Sequence, residues 1–283
     1  MTIPFCKFHG FRNDYIVIER DSIKGAVTLP DLAVNICRRN TGVGSDGIAV
    51  MERLDGAIAD YYCEIVNPDG SIAGFSGNGT RCAVAYLYYK GLWAGDNLRL
   101  RTRSGIKNYR LIERLGDGTF YFEAEIGKPR FANEEVPVLT ATRRDAVVNE
   151  PVEVDSKHYA VSAVNVGNPV ACIFVDNFDF DWRNVGRLME KHEKFPERAN
   201  IVFVRIVDAE NIEIRIWERG AGETSASGTC SSGAAILSAF MLKTGRKVSV
   251  HSEGGTTDIV WRDDDEIIIK GSASLAFCGE WPT

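Results

Sequence analysis

Alternating and β-branched hydrophobic positions recur along most of the chain, and they predict a protein dominated by strands. Examples are Tyr15–Glu19, Tyr62–Val66, Leu98–Arg103, Phe120–Glu125, Tyr159–Asn165, Ala171–Asp176, Ile201–Val207, Ile212–Trp217 and Glu266–Lys270. Two polar turns, Asp208–Asn211 and Arg262–Asp265, predict hairpins. The pattern therefore favours sheets whose strands are linked by short turns.

Four segments of helical periodicity interrupt the predicted strands. Pro30–Arg39 and Asp181–Lys194 are amphipathic, which predicts helices on the outside of the fold. Thr80–Lys90 and Ser231–Lys243 are apolar on nearly every face, which predicts helices enclosed by other elements.

The two apolar helices have similar surroundings. Phe75–Gly79 precedes the first and Ala226–Thr229 precedes the second, and each ends at a lysine with a glycine close behind, Gly91 or Gly245. This is a weak internal repeat, and it predicts an α/β (α+β) protein of two pseudo-symmetric domains. Each domain would be a curved, mostly antiparallel sheet around one central helix. The alternative is two unrelated core helices.

The small-residue turns that open these helices are candidate binding elements. The first N–H groups of a helix have no intrahelical acceptor, and the helix dipole favours an anion there. Two such ends meeting at one cleft would hold a carboxylate from both sides, with Ser76 and Ser227 flanking the adjacent carbon. The alternative is that both serines are ordinary helix N-caps.

Other polar motifs are rich in glycine. Arg38–Gly47 has too many turn-forming residues for a regular element, and Asn67–Ser71 is a turn whose simplest interpretation is a surface loop. Trp217–Thr224 places an acid and a base at a strand end, where a solvated ion pair is the alternative. None of these stretches fits a Walker or dinucleotide-binding motif, and the four histidines lack metal-ligand spacing, so we expect no metal site and no such nucleotide site.

Composition narrows the function classes further. The chain has 283 residues, 45% of them hydrophobic, and its net charge of −6 argues against nucleic-acid and anionic-membrane partners. We expect a cytoplasmic protein, because the start lacks a basic-then-apolar signal segment and no apolar run is long enough to span a membrane. The seven cysteines are scattered, which predicts buried small hydrophobic residues rather than a disulfide framework or a zinc site.

Taken in order, the motifs resemble the diaminopimelate epimerase family over essentially the whole chain. The segments that carry the resemblance are His9–Tyr15, Thr41–Gly47, Asn67–Ser71, Ser76–Cys82, Gly167–Pro169, Glu218–Gly220 and Ser225–Cys230. The resemblance implies an N-terminal domain of residues 1–127, to which 271–283 return, a C-terminal domain of residues 128–270, and an active site between them. It also implies a cofactor-independent isomerase that inverts the α-carbon of an amino acid. LL- to meso-diaminopimelate, in lysine and cell-wall precursor synthesis, is the leading reaction.

The resemblance assigns roles to individual residues. In the family, one cysteine removes the α-proton and a second delivers a proton to the opposite face; here Ser76 and Ser227 occupy those positions, with Glu218 as a carboxylate helper. The implied substrate-binding residues are Asn13, Asn67, Gly77, Asn78, Asn168, Asn200, Arg219, Gly228 and Thr229. The implied partner is a small amino acid or dicarboxylate, and a homodimer is a candidate assembly.

Besides the two serines, two positions depart from the family pattern. Val170 stands where the family has a histidine that helps one cysteine, and Cys230 stands where it usually has glycine. Cys230 would replace the missing thiol only if the backbone shifted, and Cys82 is expected to have a packing role. An alcohol is a much weaker acid than a thiol and needs an adjacent base.

Three functions therefore stay open. The first is an amino-acid epimerase in which serine, helped by Glu218, transfers protons. The second is another carbon-acid reaction, such as dehydration or double-bond isomerisation, for which Glu218 alone is a sufficient base. The third is a catalytically dead paralogue that binds amino acids.

Overall fold

The chain forms two compact units in the computed structural model, which describes residues 2–23, 25, 27–116 and 118–282. Unit 1 consists of Met1–Glu125 and Lys270–Thr283, and unit 2 of Ile126–Ile269. The longest helices in the described part have 13 residues, and none there is long and apolar enough to cross a membrane.

Strands outnumber helices in both units, as the hydrophobic pattern predicts. In chain order the described elements are β1 (Thr2–Gly10), β2 (Asn13–Glu19), α1 (Leu29–Ile36), β3 (Ile48–Arg53), β4 (Tyr61–Val66), β5 (Ile72–Ala73), α2 (Gly77–Tyr89), β6 (Asn97–Thr102), β7 (Gly105–Arg114), β8 (Thr119–Gly127), β9 (Val147–Val154), β10 (Lys157–Asn165), β11 (Pro169–Phe174), α3 (Trp182–Met189), β12 (Asn200–Ile206), β13 (Asn211–Glu218), β14 (Gly222–Thr224), α4 (Gly228–Phe240), β15 (Lys247–Ser252), β16 (Gly255–Trp261) and β17 (Ile267–Pro282).

The strands of unit 1 form a closed ring. The order around the ring is β1, β2, β3, β4, β6, β7, β8 and β17, and β17 pairs with β1 to complete it. Helix α2 packs against β1 to β4, and all its residues except Tyr89 are buried. A helix that is apolar on every face is stable here because the barrel surrounds it.

Unit 2 repeats this topology. From β1 to β7, the ring pairs of unit 1 are antiparallel, parallel, antiparallel, parallel and antiparallel. The pairs β10–β11, β11–β12, β12–β13, β13–β15 and β15–β16 follow the same succession. Helices α3 and α4 enter this succession at the steps where α1 and α2 enter the first. The predicted internal repeat is therefore confirmed, and two unrelated core helices are excluded.

Both core helices begin three residues earlier than the hydrophobic pattern predicts. They start at Gly77 and Gly228, directly after the serines, and serine side chains cap both. Glycine and polar residues are poor helix formers, so the first turn does not show in the pattern. The cap and the surrounding barrel stabilise it instead.

The outer helices are shorter than predicted. Helix α1 ends at Ile36 rather than Arg39, because the N–H groups of Gly44 and Ser45 bond to the carbonyls of Ile36 and Cys37. The glycine-rich loop thus folds back over the helix end. Helix α3 ends at Met189, after which tight turns replace the predicted continuation to Lys194.

The core helices end with the same hydrogen bonds but different residues. After α2, Gly91 N–H bonds to Tyr88 C=O and Leu92 N–H to Leu87 C=O; after α4, Leu242 N–H bonds to Ala239 C=O and Lys243 N–H to Ser238 C=O. This is the Schellman arrangement, whose C′ residue is left-handed. Gly91 has φ 67°, whereas Leu242 has φ 58° and is 91% exposed.

A disulfide joins the first strand to the last. Cys6 of β1 and Cys278 of β17 lie opposite each other in the antiparallel pair and are bonded. The prediction that the cysteines are merely buried hydrophobic residues is wrong for these two. It fails because they are 272 residues apart and only the closed ring brings them together. The other five cysteines are free and buried.

Candidate active site

Ser76 in unit 1 has two polar partners. Its Oγ accepts a hydrogen bond from Gly79 N–H over 3.1 Å, which makes it the N-cap of α2. The same oxygen lies 2.9 Å from the hydroxyl of Tyr15 on β2. Ser76 therefore caps the helix, and its hydroxyl also has a phenol beside it.

Two glycines make room for the Tyr15 ring. A Cβ added to Gly47, the residue before β3, would lie 2.8 Å from Tyr15 Cε1, and one added to Gly79 would lie equally close. Such distances are well inside van der Waals contact, so any larger residue at either position would displace the ring. The close fit holds the phenol beside Ser76.

Ser227 in unit 2 lies beside a carboxylate. Its hydroxyl donates to Glu218 Oε2 over 2.9 Å, and Thr224 donates to Glu218 Oε1 over 2.7 Å. Cys230 N–H approaches Ser227 Oγ at 3.5 Å, so the N-cap bond of α4 is long. The antiparallel pairing of β13 with β14 brings Glu218 and Thr224 to the start of this helix. Thr229 Oγ1 lies a further 3.4 Å from Ser227 Oγ.

The repeat makes the two serines equivalent and their partners different. Ser76 follows Asn67 by nine residues, as Ser227 follows Glu218, and the strand registers align Tyr15 with Val170. Unit 1 thus places a phenol beside its serine and an amide where unit 2 has the carboxylate. Unit 2 has the carboxylate and places an apolar Val170 at the position of the phenol.

The first turns of both core helices bear N–H groups without intrahelical acceptors. In α2 these belong to Gly77 and Asn78, and in α4 to Gly228 and Thr229. The side chain of Asn78 turns inward, where its Oδ1 accepts from the fully buried Arg81 over 2.9 Å. In α2 the first turn therefore presents its backbone N–H groups, and not the Asn78 side chain, to an anion.

Asn13 belongs to a charged network at the start of β2. Its Nδ2 donates to Asp46 Oδ2 over 2.7 Å, and Arg39 bridges Asp46 and Asp14. Desolvation opposes the charge of Asp14, but hydrogen bonds from Arg39 and Lys7 outweigh it and hold the pKa of Asp14 below its usual value. The network keeps the glycine-rich loop attached to β2.

Asn67 closes its own turn. Its N–H bonds to the carbonyl of Ser71 over 2.8 Å, and its Nδ2 donates to Ser71 Oγ over 2.9 Å. The structure thus places this predicted binding residue in the turn that the sequence indicates, with its amide directed at Ser71.

In unit 2, Asn200 and Arg219 lie together. Asn200 Oδ1 accepts from the backbone N–H of Arg219 over 2.9 Å, and the Arg219 guanidinium donates to the carbonyl of Glu197. The side chains of Glu218 and Arg219 therefore have different partners. Asn168 lies in the turn between β10 and β11, where its carbonyl accepts from Val166 N–H over 3.2 Å.

The cysteines of the two core helices, Cys82 and Cys230, have raised pKa values. Burial raises the pKa of Cys230 well above its ordinary value, and the charge of Glu218 raises it further. Burial likewise raises the pKa of Cys82 to about 12. Neither residue therefore supplies a thiolate near neutral pH.

Two residues of these clusters were missed from the sequence. The sequence places Tyr15 only in a predicted strand and a family motif, and Thr224 only in a polar segment. Tyr15 is 61 residues from Ser76, so no local pattern joins them. The repeat gives no signal for Thr224 either, because the equivalent residue in unit 1 is Ala73, whose side chain is apolar.

The fold of two strand-enclosed helices is shared with solved epimerases and racemases. A hydroxyproline epimerase from Agrobacterium vitis, with bound trans-4-hydroxy-L-proline, matches with a TM-score of 0.74 at 12% identity, over 99% of this chain and 92% of that one. A probable proline racemase from Agrobacterium radiobacter gives 0.71 at 13% identity, over 98% and 92%. The fold is therefore that of the amino-acid racemase and epimerase class.

Sequence relationships identify the family within this class. The diaminopimelate epimerase family profile matches residues 5–130 and 162–276. A diaminopimelate epimerase from Pelotomaculum thermopropionicum is 37% identical over 282 residues, which cover 98% of both chains, and one from Caldanaerobacter subterraneus is 37% identical over 277 residues. The chain belongs to the diaminopimelate epimerase family.

Proposed function

We propose that this protein is a cofactor-independent epimerase that inverts the α-carbon of an amino acid, with LL- to meso-diaminopimelate as the leading reaction. The observation that carries the proposal is the hydrogen bond from Ser227 to Glu218. It gives an alcohol the adjacent base that it needs for proton transfer. Family membership supports the reaction type, and the names of the relatives support the substrate.

Proton removal is assigned to Ser227 and Glu218. As the α-carbon's C–H bond breaks, its proton passes to Ser227 Oγ while the serine's own proton passes to Glu218 Oε2. The electron pair stays on the substrate and is delocalised into its carboxylate. Thr224 holds the other Glu218 oxygen, which keeps Oε2 directed at the serine.

Binding is assigned to the residues that the family resemblance indicates. The backbone of Gly77 and Asn78, with that of Gly228 and Thr229, would stabilise the α-carboxylate as negative charge develops on it. The amides of Asn13, Asn67, Asn168 and Asn200, with Arg219, would bind the remaining polar groups, including the distal end of a dicarboxylic amino acid. Ser76 would deliver the proton to the opposite face.

Three broader expectations accompany the proposal. The net charge of −6 and the family's substrates favour a small amino acid over nucleic acid or a membrane as the partner. We also propose a cytoplasmic enzyme and a homodimer. Light scattering during size-exclusion chromatography would test the dimer, and a monomer at micromolar concentration would contradict it.

The test is incubation of the protein with LL-diaminopimelate in D2O. Solvent deuterium at the α-carbon together with meso product supports epimerisation. Deuterium uptake without inversion indicates a one-sided carbon-acid reaction, and neither product contradicts the proposal. Ser227→Ala should abolish exchange, whereas Ser238→Ala is a matched control because that hydroxyl donates to the carbonyl of Ala234 in its own helix.

A further inference from the structure

Proton delivery by Ser76 has a chemical requirement of its own. An alcohol that gives up its proton becomes an alkoxide, which is a much stronger base than a thiolate and is costly to form. Ser227 avoids this problem because Glu218 lies beside it. The equivalent position in unit 1 is Asn67, whose amide is directed at Ser71. Ser76 therefore needs a different proton source.

Tyr15 is suitably placed to be that source. Its hydroxyl lies 2.9 Å from Ser76 Oγ, while Gly79 N–H takes one lone pair of the same oxygen. A phenol donating to Ser76 leaves the serine proton free to point away from the helix. The phenol is also a far stronger acid than the serine alcohol.

Neighbouring tyrosines have a different kind of partner. Tyr86 in α2 donates to Glu19 Oε1 over 2.6 Å, and Tyr88 donates to the carbonyl of Gly95 over 2.6 Å. These partners lie away from the start of α2. They satisfy the hydroxyl of a buried tyrosine, as is usual in protein cores. Tyr15 instead meets the residue to which proton delivery is assigned.

The surrounding residues are matched to this ring. Tyr15, Gly47 and Gly79 in unit 1 correspond by register to Val170, Asn200 and Cys230 in unit 2. Unit 1 thus has one large and two minimal side chains, and unit 2 has three of medium size. The two glycines leave the volume that the ring fills. Three residues, Tyr15, Gly47 and Gly79, therefore determine together that a phenol lies beside Ser76.

We propose that Tyr15 is the proton-relay and positioning residue for Ser76, so that the enzyme has a serine–carboxylate pair in unit 2 and a serine–phenol pair in unit 1. Ser76 O–H gives its proton to the substrate carbanion and takes the proton of Tyr15, which becomes a phenolate. Glu218 holds the proton removed from the substrate. Exchange of one proton with water at each residue restores the starting state. This inference rests on the proposed epimerase function.

A cycle of four proteins tests the relay: the wild type, Y15F, S76C and Y15F/S76C, each assayed for meso product from LL-diaminopimelate. Y15F should lower kcat by about 100-fold with KM changed by no more than about threefold, since acid–base assistance typically contributes 10²–10⁴-fold. In the S76C background the thiol is itself an adequate acid, so adding Y15F should lower kcat by less than about fivefold. Y86F is the matched control, with kcat unchanged.

Equal losses from Y15F in both backgrounds would mean that Tyr15 only packs the core, and would overturn the relay. A second measurement does not depend on activity. The pH dependence of iodoacetamide alkylation reports the thiol introduced by S76C, with the wild type as the blank. A hydrogen bond donated by the Tyr15 hydroxyl stabilises the thiolate. Y15F should therefore move the midpoint of the alkylation pH profile up by about 0.5–1 pH unit.

The two measurements separate the proposals. If the wild type neither exchanges nor inverts LL-diaminopimelate, the proposed function fails, and the alkylation comparison still decides whether the Tyr15 hydroxyl acts on the atom at position 76. An unchanged midpoint overturns the relay in either case. A shifted midpoint in an inert protein supports the contact between Tyr15 and position 76, while the proposed function fails.

Discussion

Ser227 donates its hydroxyl proton to Glu218 across 2.9 Å. Because the other carboxylate oxygen is held by Thr224 at 2.7 Å, the acceptor has a fixed orientation before any substrate arrives. Preorganised partners of this kind lower the cost of charge movement during reaction. Ser227 and Glu218 are therefore the pair at which substitution should affect chemistry rather than binding.

Glu218→Gln is the direct test of that pair. The amide keeps the size and one acceptor atom of glutamate but does not take up a proton, so kcat should fall by about 10²–10⁴-fold with little change in stability. The matched control is Glu223→Gln, which removes an exposed carboxylate whose partner is Arg183. Steady-state kinetics of both variants decide the matter, and equal activity of the two would contradict the role of Glu218.

Restoring thiols tests whether the binding groups still hold the α-carbon in position. S76C/S227C should raise kcat for epimerisation at least about tenfold, because a thiol at a helix N-terminus ionises far more readily than an alcohol. The rate of meso-diaminopimelate formation is the measurement. If the double variant stays inert while it remains folded, the pocket itself has diverged. Val170→His, which supplies the residue typical of the family, is then the next change to examine.

The disulfide makes a prediction about stability. A cross-link over a very long loop typically stabilises by about 2–4 kcal/mol, mainly by restricting the unfolded chain. Cys6→Ala/Cys278→Ala should therefore lower Tm, and so should a reductant added to the wild type. The same reductant should leave Tm of the double variant unchanged, because the remaining five cysteines are free. A wild-type Tm that does not respond to reductant, with both thiols found unlinked by peptide mapping, would contradict the bond.

The end of α4 offers a stabilising substitution. Leu242 is left-handed and 91% exposed, and a non-glycine residue in that conformation costs about 1–2 kcal/mol. Leu242→Gly should raise the unfolding free energy of unit 2 by about 1 kcal/mol after the greater chain entropy of glycine is subtracted. Gly91→Ala, at the equivalent position of α2, should destabilise by a similar amount. Denaturant melts measure both, and changes of the same sign would refute the argument.

Sequence periodicity was sufficient for the central architecture. The apolar helices, the two hairpins and the repeat all follow from local pattern, because burial on every face and turn chemistry are encoded over short stretches. Helix ends were less predictable: α1 stops at Ile36 only because a loop returns to its last carbonyls. Strand β1 was missed, since Thr2–Gly10 mixes polar and apolar residues without strict alternation.

The candidate site likewise has a part that could be predicted from the sequence and a part that could not. The serines and Glu218 came from motifs, and the structure brings Ser227 and Glu218 together. The Tyr15 contact and the Cys6–Cys278 bond join residues 61 and 272 positions apart, so neither was visible before the ring of strands was known. When two residues meet only because a sheet closes, no short stretch of sequence indicates their contact.

The last strand also orders the folding of the chain during synthesis. Unit 1 holds the first 125 residues, yet its ring lacks a member until β17 pairs with β1 and β8. Unit 2, whose residues are consecutive, has nearly all of its strands available before that segment leaves the ribosome. The half of the protein that is translated first is therefore completed last. Until then, the outer edges of β1 and β8 present unpaired backbone to any neighbouring strand, and truncation of the final dozen residues should leave a nascent chain prone to aggregation.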